Sequence, residues 1–157
     1  MGALHVRAWR AAYRGQMPDG YLDGLEPASR AAMWRRSVTS PRDHSRLLVA
    51  DLDGAVVAFA AVGPGGDPPG VGKLYAINVD PDEQGHGVGR TLLEAAEQVL
   101  AGLGFAEAVL WVLPANERAR RFYERAGWRA EGVERTVDVL GVTVPEVRYR
   151  TSLRAGA

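Results

Sequence analysis

Apolar residues recur along the chain at two spacings, one suited to helices and one to strands. Leu4, Ala8, Ala11 and Ala12 fall on one helical stripe, so residues 4–15 predict an amphipathic helix that Gly15 ends. Tyr21, Leu22 and Leu25 predict a short second helix and residues 27–36 a third, with Ser40-Pro41 breaking the pattern. Residues 46–50 (RLLVA) and 55–62 (AVVAFAAV) read as strands. Between them Asp51-Leu52-Asp53-Gly54 reads as a hairpin turn, with the glycine supplying a positive φ. A loop rich in glycine and proline follows over 63–72, then a strand over 73–79 (KLYAINV) that Asp80-Pro81 ends.

The second half alternates the two spacings. Val88, Leu92, Ala95, Ala96, Val99, Leu100 and Leu103 form the buried stripe of a helix over 87–103, while Arg90, Glu94, Glu97 and Gln98 fall elsewhere. Gly102 and Gly104 stop it. Residues 107–113 (EAVLWVL) predict a strand. A short helix over 116–126 carries Ala119, Phe122, Tyr123 and Ala126 on one face, with Gly127 where a glycine ends a helix. Strands over 134–140 and 144–152 are joined around Gly141. Helices, a hairpin, then β-α-β-α-β-β predict an α/β (α+β) fold: a mixed sheet with helices packed on it. No repeat or linker divides the 157 residues, which suit one domain over 1–157.

Composition narrows the function. The 19 basic and 19 acidic residues cancel, and a general nucleic-acid binder would carry a basic excess. The absence of cysteine excludes disulfides, thiolate metal sites and a cysteine nucleophile, and fits a cytoplasmic protein. MGALHVRAWR does not resemble a signal peptide, and the longest apolar run, 55–62, is too short to span a bilayer. His5, His44 and His86 are too scattered for a metal site. Lys73 is the only lysine.

The stretch that carries chemistry is Gln84-Gly85-His86-Gly87-Val88-Gly89-Arg90, after a strand and opening a helix. Glycines there admit a ligand close to the backbone, and the free amides of a helix N-terminus favour an anion such as a pyrophosphate. By composition alone, a structural turn and an anion site are equal readings. A P-loop is excluded because Gly89-Arg90-Thr91 lacks its lysine. A dinucleotide fingerprint is excluded because Gly85, Gly87 and Gly89 recur every second residue.

With Gln84, Gly87 and Gly89 in place, the sequence resembles the GNAT superfamily of N-acetyltransferases. The segment from Asn116 through Ala119, Phe122 and Tyr123 to Gly127-Trp128 resembles that family's second landmark, and Trp9 to Gly15 resembles the first-helix region of one subgroup. The resemblance implies a mostly antiparallel sheet whose central parallel strands, here 73–79 and 107–113, splay apart. It implies acetyl-CoA as acyl donor and an amine, of a small molecule or a protein, as acceptor. In the roles it implies, backbone groups of Ile77, Asn78 and Val79 pair with the pantetheine arm. Gln84 opens the loop, and the amides of Gly85, His86, Gly87, Val88, Gly89 and Arg90 hold the pyrophosphate. Asn116 hydrogen-bonds the pantetheine arm, and Tyr123 is the general acid beside the sulfur. No metal, nucleic acid or membrane is expected to take part.

Several positions stay open. Related sequences often carry glutamate where this chain has Lys73, which leaves Tyr75, Asn78, Glu26, Asp138 or a water chain to take the amine's proton. Arg118, Arg120 and Arg121 read equally as a solvated face or as an attractor of the 3′-phosphate of coenzyme A. Trp9, Tyr13 and Tyr21 read as acceptor-pocket lining or, more commonly for such stripes, as core. The alternative to an enzyme is a non-catalytic acyl-CoA-binding or sensing domain of the same fold. The family's usual first strand is missing, which exposes the strand 46–50 as a sheet edge and predicts an earlier natural start or a homodimer.

Overall fold

The computed structural model describes residues 2–15, 17, 19–39, 44–66, 68–139 and 141–154. The expected break at Ser40-Pro41 lies outside the described residues. Three helices come first: α1 (Gly2–Tyr13), α2 (Asp19–Asp23) and α3 (Pro27–Thr39). Then follow β1 (Arg46–Leu52), β2 (Ala55–Pro64), β3 (Gly72–Val79), α4 (Val88–Gly102), β4 (Glu107–Val112), α5 (Glu117–Arg125), β5 (Arg129–Val139) and β6 (Val142–Ser152). The six strands form one sheet in the order β1-β2-β3-β4-β6-β5, and only β3 and β4 run parallel.

Alternation along the strands divides the core between the two faces of the sheet. Ala58, Ala60, Val62, Leu74, Ala108 and Leu110 face α4, whose Leu92, Leu93, Ala96 and Leu100 are buried against them. Burying Leu93 and Leu100 contributes roughly 1.5–3 kcal/mol each. Phe59 and Ala61 point the other way, to Leu4 of α1 and Met33 of α3. A third cluster ties α1 and α2 to the end of β4 and the β5–β6 hairpin through Val6, Leu22, Leu25, Leu113 and Val144. Arg7 pairs with Asp80, locking α1 to the end of β3.

Two of the boundaries that differ from the sequence reading do so for a physical reason in the backbone. β1 runs to Leu52, so the turn shrinks to Asp53-Gly54 with φ of 53° and 86°, the two positive values of a tight two-residue hairpin. β5 begins at Arg129 rather than 134, because its pairing with β6 slips between Ala130 and Glu134, where Gly132 has a φ of 77°. That irregularity breaks the alternation that would have revealed the strand. In α1, Ala11 and Ala12 are exposed rather than core; the buried residues are Gly2, Leu4, His5, Val6 and Ala8. β1 forms a sheet edge, where Val49 and Leu52 are each 50% exposed. Among the described residues, no helix is long and apolar enough to cross a membrane.

Candidate active site

The ladder between β3 and β4 holds only Gly72↔Ala108 and Lys73↔Val109. Beyond Lys73 the strands part. The cause lies on the other side of β3, where Val62 pairs with Leu74 but Ala61 pairs with Ala76, so Tyr75 is bulged out of register. A bulge bends its strand and increases its twist, which turns the rest of β3 away from β4. Backbone groups of β3 that face the gap have no strand opposite them. An extended chain with amides of its own fits such an edge.

An open cleft of about 700 Å³ occupies this gap. One wall is β3 at Ile77, Asn78 and Val79, and the other is β4 at Trp111 and Val112. α1 contributes Ala8, Ala11, Ala12, Tyr13 and Arg14. The glycine loop and the start of α4 contribute Gln84, Gly85, Gly87, Gly89 and Arg90, and α5 contributes Asn116, Arg118, Phe122 and Tyr123. Ten of the twelve residues expected at the site therefore line one cleft. The other two do not: the exposed His86 faces Glu83 (Nδ1 to Oε2, 3.6 Å), and Val88 packs on the core.

The loop geometry follows from its glycines. Gly85 and Gly87 have φ of 85° and 82°, a region that side chains rarely adopt. Gly87 caps α4, and the first helical bond runs from Thr91 N–H to its carbonyl at 3.1 Å. The amides of residues 88–90 thus lack acceptors within the helix and concentrate its positive end at the cleft. Arg90 lines the cleft but pairs with Glu94 at 3.1 Å on the surface, so its charge is partly spent. The arginine cluster of α5 divides: Arg118 reaches the cleft, Arg121 pairs with Glu117, and Arg120 donates to the Tyr149 hydroxyl and the Pro114 carbonyl.

At the other end of the cleft, side chains replace backbone. Tyr123 is 9% exposed and packs against Phe122, Trp128 and Tyr149, yet it also lines the cleft, so it serves the core and the cleft at once. Burial, with a smaller contribution from nearby Tyr13, raises its pKa well above the ordinary tyrosine value. Asn116 caps α5, its Oδ1 accepting from Ala119 N–H at 3.2 Å. Its side chain also hydrogen-bonds Tyr13. Burial raises the Tyr13 pKa, the charge of Glu146 raises it further, and the bond from Asn116 opposes both. Of the aromatic trio, Tyr13 reaches the cleft, whereas Trp9 and Tyr21 pack in the core beneath it.

Glu146 is the residue that sequence reasoning missed. It lies on β6 opposite Arg135 of β5, and its Oε1 accepts from Arg135 Nε at 3.0 Å. Its charge also reaches Tyr13 and Lys73. One glutamate in an alternating strand carries no signal, and only the folded sheet brings it near residues 13 and 73. The expected proton acceptors fare differently. Asn78 lines the cleft, while the Tyr75 hydroxyl donates to the Pro64 carbonyl. Asp138 is tied up in the Gly141 turn, and Glu26 is exposed beside α3. Among the described residues, no group of three or more His, Cys, Asp or Glu is placed to hold a metal ion.

Residues 6–128 match the acetyltransferase (GNAT) family. The N-acetyltransferase YuaI of Bacillus subtilis, itself described as uncharacterized, is 32% identical over 148 residues, covering 92% of this chain and 81% of that protein. Mycothiol acetyltransferase of Kocuria rhizophila is 44% identical over 71 residues, which are 45% of this chain and only 23% of that larger protein. The PaiA N-acetyltransferase of Thermoplasma acidophilum, solved with coenzyme A, superposes with a TM-score of 0.73 at 18% identity, covering 96% of this chain and 89% of that one. A sensing domain without catalysis is therefore not the better reading. The chain belongs to the acetyltransferase (GNAT) family and is an N-acetyltransferase.

Proposed function

We propose that the chain transfers the acetyl group of acetyl-CoA to a primary amine, held on a small molecule or a protein. One observation carries this reading: β3 and β4 part at Lys73 so that a single cleft joins the unpaired amides opening α4 to the Tyr123 side chain. The fit to coenzyme A is chemical. The amides at the start of α4 suit a pyrophosphate, and the free edge of β3 at Ile77 to Val79 suits the amides of a pantetheine arm. Bound there, the thioester supplies the acetyl group and a sulfur leaving group.

The chain's own groups then have defined tasks. Backbone N–H groups facing the gap stabilise the oxyanion that forms when the amine adds. Tyr123 stays protonated through neutral pH and passes its proton to the departing sulfur while the nitrogen's remaining proton restores it, so no phenolate accumulates. Glu146, whose charge reaches Tyr13, takes the proton that an ammonium acceptor must lose before it attacks. The relatives' names support acetyl transfer; their substrates are not carried over, since the segment shared with mycothiol acetyltransferase is 23% of that protein.

Calorimetry with coenzyme A, followed by a thiol-release screen of amines, aminoglycosides and peptides with acetyl-CoA, tests the reading. Binding plus acceptor-dependent thiol release is expected. Binding without release from any amine would return the sensing alternative, and no binding would remove the cleft assignment.

A further inference from the structure

The chain places its only lysine where β3 and β4 begin to part, beside the cleft rather than among the residues that line it. Lys73 is the last residue of β3 paired to β4 before the strands separate. Gly72 and Leu74 on either side face α4, so by alternation the Lys73 side chain leaves from the opposite face. α1 and α3 cover that face over β2 and the far end of β3, at Phe59, Ala61 and Ala76. Around Lys73 it carries Tyr75, Arg135 and Glu146 instead. Nζ sits 5.2 Å from the centre of the Tyr75 ring, and Glu146 is already engaged with Arg135. Among the described residues, Lys73 forms no ion pair.

An amine attacks a thioester only when it is neutral. Burial, and then the neighbouring Arg135 charge, lower the Lys73 pKa, while Glu146 opposes them; the balance favours the neutral form more than for an ordinary lysine. The half-buried stem leaves few orientations for the nitrogen. A tethered nucleophile in a restricted geometry reacts faster than a free amine at ordinary concentration.

We propose that Lys73 is a self-acetylation site: its Nζ takes the acetyl group from acetyl-CoA bound in the chain's own cleft. The inference rests on the acetyl-CoA reading above. The Nζ lone pair forms the N–C bond, and the C–S bond breaks. Of the two protons the ammonium loses, one ends on the sulfur of coenzyme A. The other passes to Glu146 and from there to solvent. The product is a neutral amide beside Arg135, so the face loses one positive charge.

The sequence makes the test clean. Trypsin cuts after Arg46, Lys73 and Arg90 in this region, giving peptides 47–73 and 74–90; an acetylated Lys73 blocks the middle cut and yields 47–90. The full chain is incubated with acetyl-CoA and no acceptor, digested, and mapped by mass spectrometry. The 47–90 peptide is expected to appear at least ~10-fold faster from folded than from urea-unfolded chain. Excess free coenzyme A should suppress it, the rate per chain should not depend on protein concentration, and Lys73→Arg should accept no acetyl group in this region. Equal labelling of folded and unfolded chain would reduce the event to solution chemistry and overturn the proposal. So would a rate per chain that rises with protein concentration. If calorimetry shows coenzyme A bound but Lys73 stays unlabelled, the proposal fails and the function stands. If coenzyme A does not bind, the reading of the cleft fails first.

Discussion

The glycine-rich end of the cleft is made of backbone, and the opposite end, between α1 and the β5–β6 hairpin, is made of side chains. At the first end, Gly85 and Gly87 hold positive φ and the amides opening α4 face the ligand. Every group needed there comes from one run of seven residues. At the second end, Tyr13 of α1 and Asn116 and Tyr123 of capped α5 line the cleft, with Glu146 of β6 near Tyr13, and these residues also serve the fold: Tyr123 packs in the core, Asn116 caps α5 and Glu146 pairs with Arg135. The difference teaches where the two kinds of site are vulnerable. A backbone site yields to a change in chain conformation or to an added side chain. A side-chain site yields to loss of a single functional atom and to pH.

The largest expected effect falls on the side-chain end. Tyr123→Phe keeps the ring and its packing against Trp128 and Tyr149 but removes the proton donor. It should lower kcat by about 10²–10⁴, the usual range for a general acid, while coenzyme A affinity stays near that of the parent. Steady-state kinetics with the best acceptor, alongside calorimetry, checks both halves. Unaltered turnover would reduce Tyr123 to core packing and leave the second end without its acid.

The same division decides what the sequence revealed. The glycine loop was legible because conformation was written locally: glycines every second residue, after a strand and before a helix, admit few structures. The helix stripes and the hairpin at Asp53-Gly54 were legible for the same reason. Glu146 was not, because its meaning depends on a pairing with β5 and on the approach of α1, neither of which leaves a local trace. Tyr13 was legible only as an ambiguity between core and cleft, and it touches both. Ala11 and Ala12 misled because a helix bordering a cleft and a helix buried in a core carry the same apolar stripe. The family resemblance supplied the splay of β3 and β4; its cause, the bulge at Tyr75, appears only in the register.

A smaller effect should appear in the pH dependence of the α1 wall. His5 is 4% exposed, lies against Trp9 and Phe59, and has its pKa lowered from 6.5 to about 4, first by burial and then by Arg30. Above pH 6.5 it is neutral in folded and unfolded chains, and its contribution is fully present. As pH falls from 6.5 to about 4, the unfolded chain binds a proton that the folded chain refuses, so stability is lost. Allowing for screening, the loss is about 2 kcal/mol. Urea midpoints at neutral pH and near pH 4 should differ accordingly, and His5→Leu should flatten that slope. An unchanged slope in the variant would show that other groups govern the acid limb.

The remaining effects separate two glycines of the backbone end. Gly87 has a φ of 82°, and a Cβ there meets nothing within 4 Å, so the protein itself offers no clash. The added side chain would instead stand in the cleft that Gly87 lines, in front of the amides of α4. Gly87→Val should therefore weaken coenzyme A binding by at least ~1.4 kcal/mol, a factor of ten. It should also cost some stability through backbone strain, of order 1–3 kcal/mol. Gly89 lies inside the first turn of α4 without a positive φ, and its Cβ would rest 3.4 Å from Val79 Cγ2 and 3.5 Å from the Phe122 ring, which are ordinary contacts. Alanine there removes a flexible residue from a helix, so Gly89→Ala should stabilise the fold by roughly 0.5–1 kcal/mol. Coenzyme A affinity should stay within about twofold of the parent, because the ligand meets the amide and not the methyl group. Thermal melts and calorimetry on both variants read the contrast directly. If Gly89→Ala loses affinity as Gly87→Val does, close approach rather than loop conformation limits this end of the cleft. The two glycines would then be needed for one reason instead of two.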